Sequence, residues 1–156
     1  MMESKRQKLI FTSLALVLLA IMIAGSRKAG VSCDEVLHYN HSVSVNNYYS
    51  SGGKDLTCLD TPGTHLKYYG QSFDNFTTLL IRVFGINDIY GFRHLMATLA
   101  GWLSILLASL LAWRVAGFTT GITALLLFAV SPTFLGHAQN NLKDIPFALG
   151  YLAGIY

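Results

Sequence analysis

Three long apolar runs constrain this chain more than any other feature of its sequence. They cover residues 9–24, 95–113 and 119–135, and polar segments separate them. A helix that crosses a bilayer needs roughly 17–25 predominantly apolar residues. Because lipid offers no hydrogen-bond partners, a backbone inside it must satisfy its own polar groups, as an α-helix does. The runs therefore predict an all-α fold, a polytopic transmembrane helical bundle with about three full spans.

The composition also favours a membrane protein. Hydrophobic residues make up 53% of the chain and charged residues only 12%, whereas about a quarter of a typical soluble domain is charged. The net charge of +3 comes from basic residues that mostly flank the apolar runs. This placement indicates membrane topology and lipid headgroups as partners. No nucleic acid is expected, because the common nucleic-acid-binding motifs are missing from the sequence.

The first apolar run has two interpretations. Basic residues precede it, as in a secretory signal peptide. However, Arg27 and Lys28 follow it directly, and a cut after Ala24 would have the large Met22 where a small residue is expected. These features favour an uncleaved first span with a cytoplasmic N-terminus. Counting crossings then places the polar segments, residues 25–93 and 136–145, on the extracytoplasmic side.

A fourth apolar run, residues 146–156, is long enough only to begin a span. A helix that ended in mid-bilayer would leave carbonyl groups without partners. We therefore expect the chain to be the N-terminal part of a longer protein, whose missing C-terminal portion completes the bundle. We expect this part to be inactive without that portion. Pro146 suits the first turn of this helix, and Asp144 is a candidate cap.

The first polar segment, residues 25–93, is predicted to be a long extracytoplasmic loop. Residues 46–53 have the composition of irregular chain. Cys33 and Cys58 are the only cysteines. They could form a disulfide in an extracytoplasmic compartment, or they could be two unrelated thiols.

Residues 71–84 of this loop have a helical period. The apolar positions at three- and four-residue spacing are Phe73, Phe76, Leu80, Ile81 and Phe84. The polar positions between them are Asp74, Asn75, Thr78 and Arg82. The pattern predicts an amphipathic juxtamembrane helix with Ser72 as its N-cap and Gly85 as its stop. Such a helix could lie in the membrane interface or pack against the bundle.

Two polar clusters carry the candidate chemistry. The first is the acidic pair Asp34 and Glu35. The second consists of His137, Asn140, Asn141, Lys143 and Asp144. Carboxylates near a membrane surface can take a proton from an attacking hydroxyl, or they can hold a divalent cation against a phosphate leaving group.

Each cluster also has a structural interpretation. Asp34 and Glu35 could be the solvated start of a helix, and Asp144 could serve only as an N-cap. If a phosphate binds, the available cations are Lys143, Arg93 and Arg82, which could pair with its oxygens.

Several stretches resemble a known family in their order along the chain. After a short apolar helix and the Asp34–Glu35 pair come residues 68–74 (YYGQSFD), 92–95 (FRHL), 131–137 (SPTFLGH) and 140–148 (NNLKDIPFA). This order resembles the N-terminal part of a GT-C glycosyltransferase. The most similar members are the bacterial family 39 relatives, which include dolichyl-phosphate-mannose–protein mannosyltransferase-like and aminoarabinose-transferase-like membrane enzymes.

The resemblance implies a function for this chain. It implies inverting transfer of a sugar from a polyprenyl- or dolichyl-phosphate carrier to a protein, lipid or glycan, in a multi-pass protein of the bacterial inner membrane. Asp34, with Glu35 beside it, matches the family's base or metal-contacting acid, and Asp144 matches an acid that orients the site. Arg93 and Lys143 would contact the donor phosphate, and Asp34 and Asp144 are the candidate ligands of a divalent cation such as Mg²⁺ or Mn²⁺.

A transporter or non-catalytic membrane component is the main alternative function. Transporters place ionisable groups near the bilayer midplane on broken helices. Here the predicted spans are nearly free of charge and the acids lie at the outer boundary, which favours chemistry at the membrane surface. A purely structural anchor with an exposed loop is a third interpretation.

Overall fold

The computed structural model describes residues 4–156, which form helices and connecting loops with no β-strand among them. The seven α-helices are α1 Lys5–Ser26, α2 Cys33–Ser50, α3 Ser72–Phe84, α4 Ile89–Ala116, α5 Phe118–Ala129, α6 Pro132–Asn140 and α7 Asp144–Ile155. Two short 3₁₀ helices, Thr57–Leu59 and Leu66–Tyr68, lie between α2 and α3. The all-α class predicted from the apolar runs is therefore confirmed.

The helices form two compact units. The span unit contains the described residues up to Ala29 together with His94–Tyr156. The loop unit is Gly30–Arg93, which nearly coincides with the polar segment predicted between the first two spans.

Two helices of the span unit are long and apolar enough to cross a membrane, namely α1 with 22 residues and α4 with 28 residues. At 1.5 Å per residue, α1 is about 33 Å long, close to the thickness of a hydrocarbon core. Both helices extend beyond the predicted spans, residues 9–24 and 95–113. These helices are compatible with a membrane protein.

Helices α1 and α4 pack antiparallel. Phe11 near the start of α1 lies against Trp113 near the end of α4, with ring centroids 5.1 Å apart. One turn later in α1, the carbonyl of Ala15 accepts a 2.8 Å hydrogen bond from the indole of Trp102. The start of α1 and the end of α4 therefore lie at the same end of the span unit.

The predicted third span, residues 119–135, is not one continuous helix. It divides into α5 and α6, which are bent by 70° relative to each other. The break follows from local chemistry, because Ser131 caps α6 by accepting from the backbone N–H of Phe134 and Pro132 occupies the first turn. Pro132 therefore starts a helix where we expected it to lie near the end of one. Counted as one span, the bent pair brings the number of candidate spans to three.

The loop between α6 and α7 is shorter than predicted. Residues 136–140 of the expected loop 136–145 belong to α6, and α7 begins at Asp144. The side chain that caps this turn is Asn141, whose Oδ1 accepts from the backbone N–H groups of Lys143 and Asp144 at 3.1 and 2.9 Å. Asp144 is thus the first residue of α7 and not its cap.

In the loop unit, α2 replaces much of the predicted irregular chain. The helix continues to Ser50 through most of residues 46–53. It contains neither proline nor glycine, and a capping box of Ser32 and Glu35 closes its first turn. Gly52 and Gly53, both with positive φ, follow its end.

Helix α3 confirms the predicted amphipathic element, with a small shift at its start. Gln71 occupies the N-cap position in place of Ser72, and Gly85 ends the helix in the left-handed conformation with φ 61° and ψ 41°. The two cysteines on the α2 side of this unit are free thiols, Cys33 exposed and Cys58 buried.

The face that α3 buries is mostly polar. Its buried residues are Asp74, Thr77, Thr78 and Ile81, and its exposed apolar residues are Phe76, Leu79, Val83 and Phe84. Helix α2 contributes a matching polar face, in which Ser42 and Thr78 are joined by a 2.6 Å hydrogen bond. The amide of Asn46 donates to the carbonyl of Asn75 at 3.1 Å. Hydrogen bonds, more than apolar contacts, therefore hold α2 against α3.

Candidate functional site

The acidic pair at the start of α2 is divided by the helix. Asp34 is exposed, whereas Glu35 is only 3% exposed. Successive residues of a helix point about 100° apart, so two adjacent side chains do not share a face. Glu35 turns inward, and its carboxylate accepts from the backbone N–H of Ser32 at 3.4 Å. The two carboxylates therefore have different environments and can have different roles.

Arg93 is the partner that holds Glu35 inside. Nε of Arg93 lies 3.6 Å from Oε1 of Glu35, and Nη2 donates to Oδ1 of Asp74 at 2.7 Å. Arg93 is 1% exposed and Asp74 is 1% exposed. The guanidinium also lies 5.5 Å from the ring centroid of Tyr39, a cation–π distance. Arg93 thus links the starts of α2 and α3 through buried charge.

This network contains two predicted site residues. Glu35 was predicted to be catalytic and Arg93 to contact a donor phosphate. The structure buries both and pairs them with each other, and their predicted roles stay predictions. The ion pair holds the first turn of α2, which also contains the exposed Asp34.

Sequence reasoning missed a polar cluster beside this network. Nε2 of Gln71 donates to Nδ1 of His38, and the His38 ring lies 6.0 Å from that of Tyr69. Gln71 is buried although it immediately precedes α3. Tyr69 and Gln71 belong to the YYGQSFD stretch described above, but the sequence does not show that this stretch contacts His38, because His38 and Gln71 are 33 positions apart.

The second predicted cluster surrounds a cavity of about 450 Å³ in the span unit, where α5, α6 and α7 meet. His137, Asn141 and Asp144 line its polar side. Its remaining lining includes Phe128, Phe134, Ile145 and Ala148. A cavity of this volume with one polar side and apolar walls is typical of small-ligand sites.

Asn141 fixes the position of Asp144 at this cavity. Nδ2 of Asn141 donates to Oδ2 of Asp144 at 2.9 Å, while Oδ1 of Asn141 accepts from the backbone of the turn. His137 lies one helical turn earlier, with its Nδ1 3.5 Å from the Asn141 amide nitrogen. Asn140 and Lys143 are partly buried and do not line the cavity. Three of the five predicted residues of this cluster are thus brought together.

The metal role predicted for Asp34 and Asp144 has no further ligands in this structure. Residues 4–156 contain no group of three or more His, Cys, Asp or Glu side chains that could hold a metal ion. Asp34 belongs to the loop unit and Asp144 to the span unit. A bound Mg²⁺ or Mn²⁺ remains a prediction.

Two titratable groups of the loop unit have shifted pKa values. Burial lowers the pKa of His41, which lies on the face of α2 that contacts α3. The pKa of Asp55 is lowered first by the hydroxyl of Thr57 and then by its backbone N–H, both of which donate to Oδ1. Neither group belongs to the predicted site.

Comparison with known proteins adds no assignment. No family model matches the chain, and no curated protein or solved structure matches it. The function is therefore argued from the residues of the chain and their geometry.

Proposed function

We propose that this chain belongs to a membrane glycosyltransferase that takes a sugar from a polyprenyl-phosphate carrier. The observation that carries the proposal is the placement of Asp34, an exposed carboxylate beside a buried one. Glu35 and Arg93 fix the first turn of α2, so Asp34 is both accessible and held in place. Those are the two properties that a general base requires.

In the proposed reaction, Asp34 accepts the proton of an acceptor hydroxyl. The hydroxyl oxygen forms a bond to the anomeric carbon of the donor sugar, while the bond from that carbon to the carrier phosphate breaks. The polyprenyl phosphate leaves with the bonding electron pair, and the configuration at the anomeric carbon inverts. The resemblance described above supports this reaction class, and the carboxylate geometry is compatible with it.

We assign the cavity at α5, α6 and α7 to binding an amphiphilic substrate. A polyprenyl-phosphate sugar combines an apolar chain with a polar head, and the cavity combines apolar walls with His137, Asn141 and Asp144. Asp144 would orient hydroxyl groups of the sugar or acceptor, since its carboxylate is already held by Asn141. Lys143 follows Asn141 in the same turn and is the remaining candidate for the phosphate.

The test is a transfer assay with membranes that contain the full-length protein. The donors are a panel of radiolabelled hexosyl and pentosyl phosphoryl-polyprenols, and incorporation into protein, lipid and glycan is measured. We expect Asp34→Asn to lower transfer by about 100-fold or more, the usual effect of losing a general base. The matched control is Asp60→Asn, which neutralises another exposed aspartate of the loop unit and is expected to leave transfer unchanged.

Two results would contradict the proposal. The first is undiminished transfer by Asp34→Asn at normal protein abundance. The second is a full-length wild-type protein that neither transfers sugar nor becomes labelled by a photoreactive polyprenyl-phosphate sugar. In that case a transporter or a structural membrane component becomes the better interpretation.

A further inference from the structure

A second cavity lies at the opposite end of the long helices from the residues that the proposed function uses in α6 and α7. Its volume is about 470 Å³, and it opens where α1 begins and α4 ends. Its lining includes Lys8, Phe11, Thr12, Trp113, Arg114 and Tyr156. Because α1 and α4 are the two long candidate spans, this cavity lies at one end of both spans.

Two basic side chains line this cavity. Lys8 and Arg114 contribute these cations from two different helices, and no acidic side chain of residues 4–156 is among the lining residues. Lys5 and Arg6, in the first turn of α1, add two further positive charges nearby in the chain. An anion at this position would meet complementary charge, and Thr12 offers a hydroxyl donor on the same wall.

The aromatic side chains give the cavity a fixed wall. The Trp113 ring packs between Phe11 and Phe118, with centroid distances of 5.1 and 5.3 Å. Arg114 is held by Tyr156, whose backbone oxygen accepts from Nη1 at 3.1 Å and whose ring centroid lies 5.9 Å from the guanidinium carbon. Tryptophan and tyrosine favour the boundary between hydrocarbon and headgroups, because each has an apolar body and a polar tip.

We propose that this cavity binds the headgroup of an anionic phospholipid. The phosphodiester would lie between Lys8 and Arg114, and the first part of the acyl chains would lie along Leu110, which is partly exposed. A free phosphate ion shares the charged part of this chemistry. The lipid is favoured because apolar side chains line the same cavity and because the cavity lies at the ends of two candidate spans. This site is independent of the proposed glycosyl transfer.

Trp113 provides a direct measurement of the site. The chain contains two tryptophans, so the Trp102→Phe variant of the full chain keeps Trp113 as its only one. This protein is reconstituted into phosphatidylcholine vesicles that contain increasing fractions of brominated phosphatidylglycerol or brominated phosphatidylcholine. Both lipids carry bromine near the headgroup end of the acyl chain. The quenching of Trp113 fluorescence reports which lipid occupies the cavity.

We expect the brominated phosphatidylglycerol to reach half-maximal quenching at a roughly tenfold lower fraction than the brominated phosphatidylcholine, given the attraction of each basic residue for anionic lipid. The double variant Lys8→Gln, Arg114→Gln should lose this preference. The charge-preserving variant Lys8→Arg, Arg114→Lys should keep most of it. The matched control is Arg27→Gln, Lys28→Gln, which removes two exposed charges from the other end of α1 and should keep the preference.

Three outcomes would overturn the proposal. One is equal quenching by the two brominated lipids. Another is equal loss of preference in the Lys8/Arg114 and Arg27/Lys28 double variants, because that result reports general attraction of charge to the membrane. The third is relief of quenching by inorganic phosphate at constant ionic strength, which would identify free phosphate as the ligand. Circular dichroism of each variant confirms that it is folded before the lipids are compared.

Discussion

Arg93 donates from Nη2 to Oδ1 of Asp74 at 2.7 Å, and both side chains are buried almost completely. A buried ion pair is not by itself a large source of stability, because removing two charges from water is costly. Loss of one partner is different, since the other charge then remains buried without compensation. The pair therefore holds the first turn of α3 against Arg93 within the loop unit.

The first prediction concerns this arginine. Arg93→Gln should lower the free energy of unfolding by about 3–5 kcal/mol, the usual cost of leaving a buried charge unpaired. Arg82→Gln is the control, because Arg82 is exposed and makes a single 2.6 Å hydrogen bond to Asn47. It should cost under about 1 kcal/mol. Urea unfolding in detergent micelles, followed by circular dichroism, measures both, and equal losses would refute the structural role of Arg93.

Two adjacent threonines of α3 provide a second test. Thr77 and Thr78 are both 0% exposed. Ser42 uses its only hydroxyl proton on the carbonyl of Tyr39 at 2.7 Å, so Thr78 must be the donor in the 2.6 Å bond between Ser42 and Thr78. Thr77 Oγ1 has no hydrogen-bond partner in the described part of the chain.

Valine has nearly the shape of threonine and lacks the hydroxyl. Thr78→Val should therefore cost about 0.5–1.5 kcal/mol, the net value of an intramolecular hydrogen bond. Thr77→Val should be neutral or stabilising, because it removes a buried polar atom that has no partner. Unfolding curves of the two variants measure both changes in stability. The contacts between α2 and α3 would have to be reconsidered if Thr77→Val proved the more damaging.

The long helices of the span unit could be predicted from the sequence, because each is recognised from its own apolar run without reference to the rest of the chain. An apolar run of sufficient length can only be helical in lipid, so residues 9–24 and 95–113 fall inside α1 and α4. The stop at Gly85 was equally local, since only glycine adopts the left-handed conformation without strain. The kink at Pro132 was not predicted, because the same residue can end one helix or begin the next.

Helix α2 could not be found from hydrophobic periodicity. Its buried residues are Glu35, His41, Ser42 and Asn46, which are all polar. Ser42 and Asn46 form hydrogen bonds to α3, about 30 residues further along the chain, and Glu35 pairs with Arg93. No local pattern encodes such pairs. The sequence did contain one signal of this helix, because Ser32 followed three residues later by Glu35 matches a capping box. It would have placed the helix start and shown that Asp34 and Glu35 point in different directions.

A third prediction concerns the approach of α4 to α6 in the span unit. A Cβ atom added at Gly101 would lie 2.5 Å from the Cβ of Ala138, closer than two carbon atoms tolerate. Gly101→Ala should therefore destabilise the protein by about 1–3 kcal/mol through overpacking. At Gly136 of α6 the same addition meets no described atom within 4 Å. Gly136→Ala should be neutral or stabilise by up to about 1 kcal/mol, because alanine favours a helix more than glycine does.

Thermal unfolding in detergent measures both glycine variants under identical conditions. A lower unfolding temperature for Gly101→Ala, with an unchanged or higher one for Gly136→Ala, is the expected pattern. If Gly101→Ala unfolded at the wild-type temperature, the close packing of α4 on α6 would be wrong.

The last prediction is a dependence of stability on pH that originates at His41. Burial lowers the pKa of His41 below its ordinary value of 6.5, so the unfolded chain binds a proton more readily than the folded chain does. The stability contributed by neutral His41 is therefore fully present above about pH 6.5 and decreases as the pH falls toward the lowered pKa. Asp55 has a lowered carboxyl pKa, so its contribution is lost only at more acidic pH, below the window in which His41 titrates.

The measurement compares unfolding temperatures at about pH 7.5 and about pH 5. The decrease between these two conditions should be smaller in His41→Gln than in the wild type, because glutamine does not bind a proton in this range. His65→Gln is the control, since His65 belongs to the same unit but is exposed and should leave the pH dependence unchanged. An identical decrease in all three proteins would show that the polar face of α2 does not exclude water from His41.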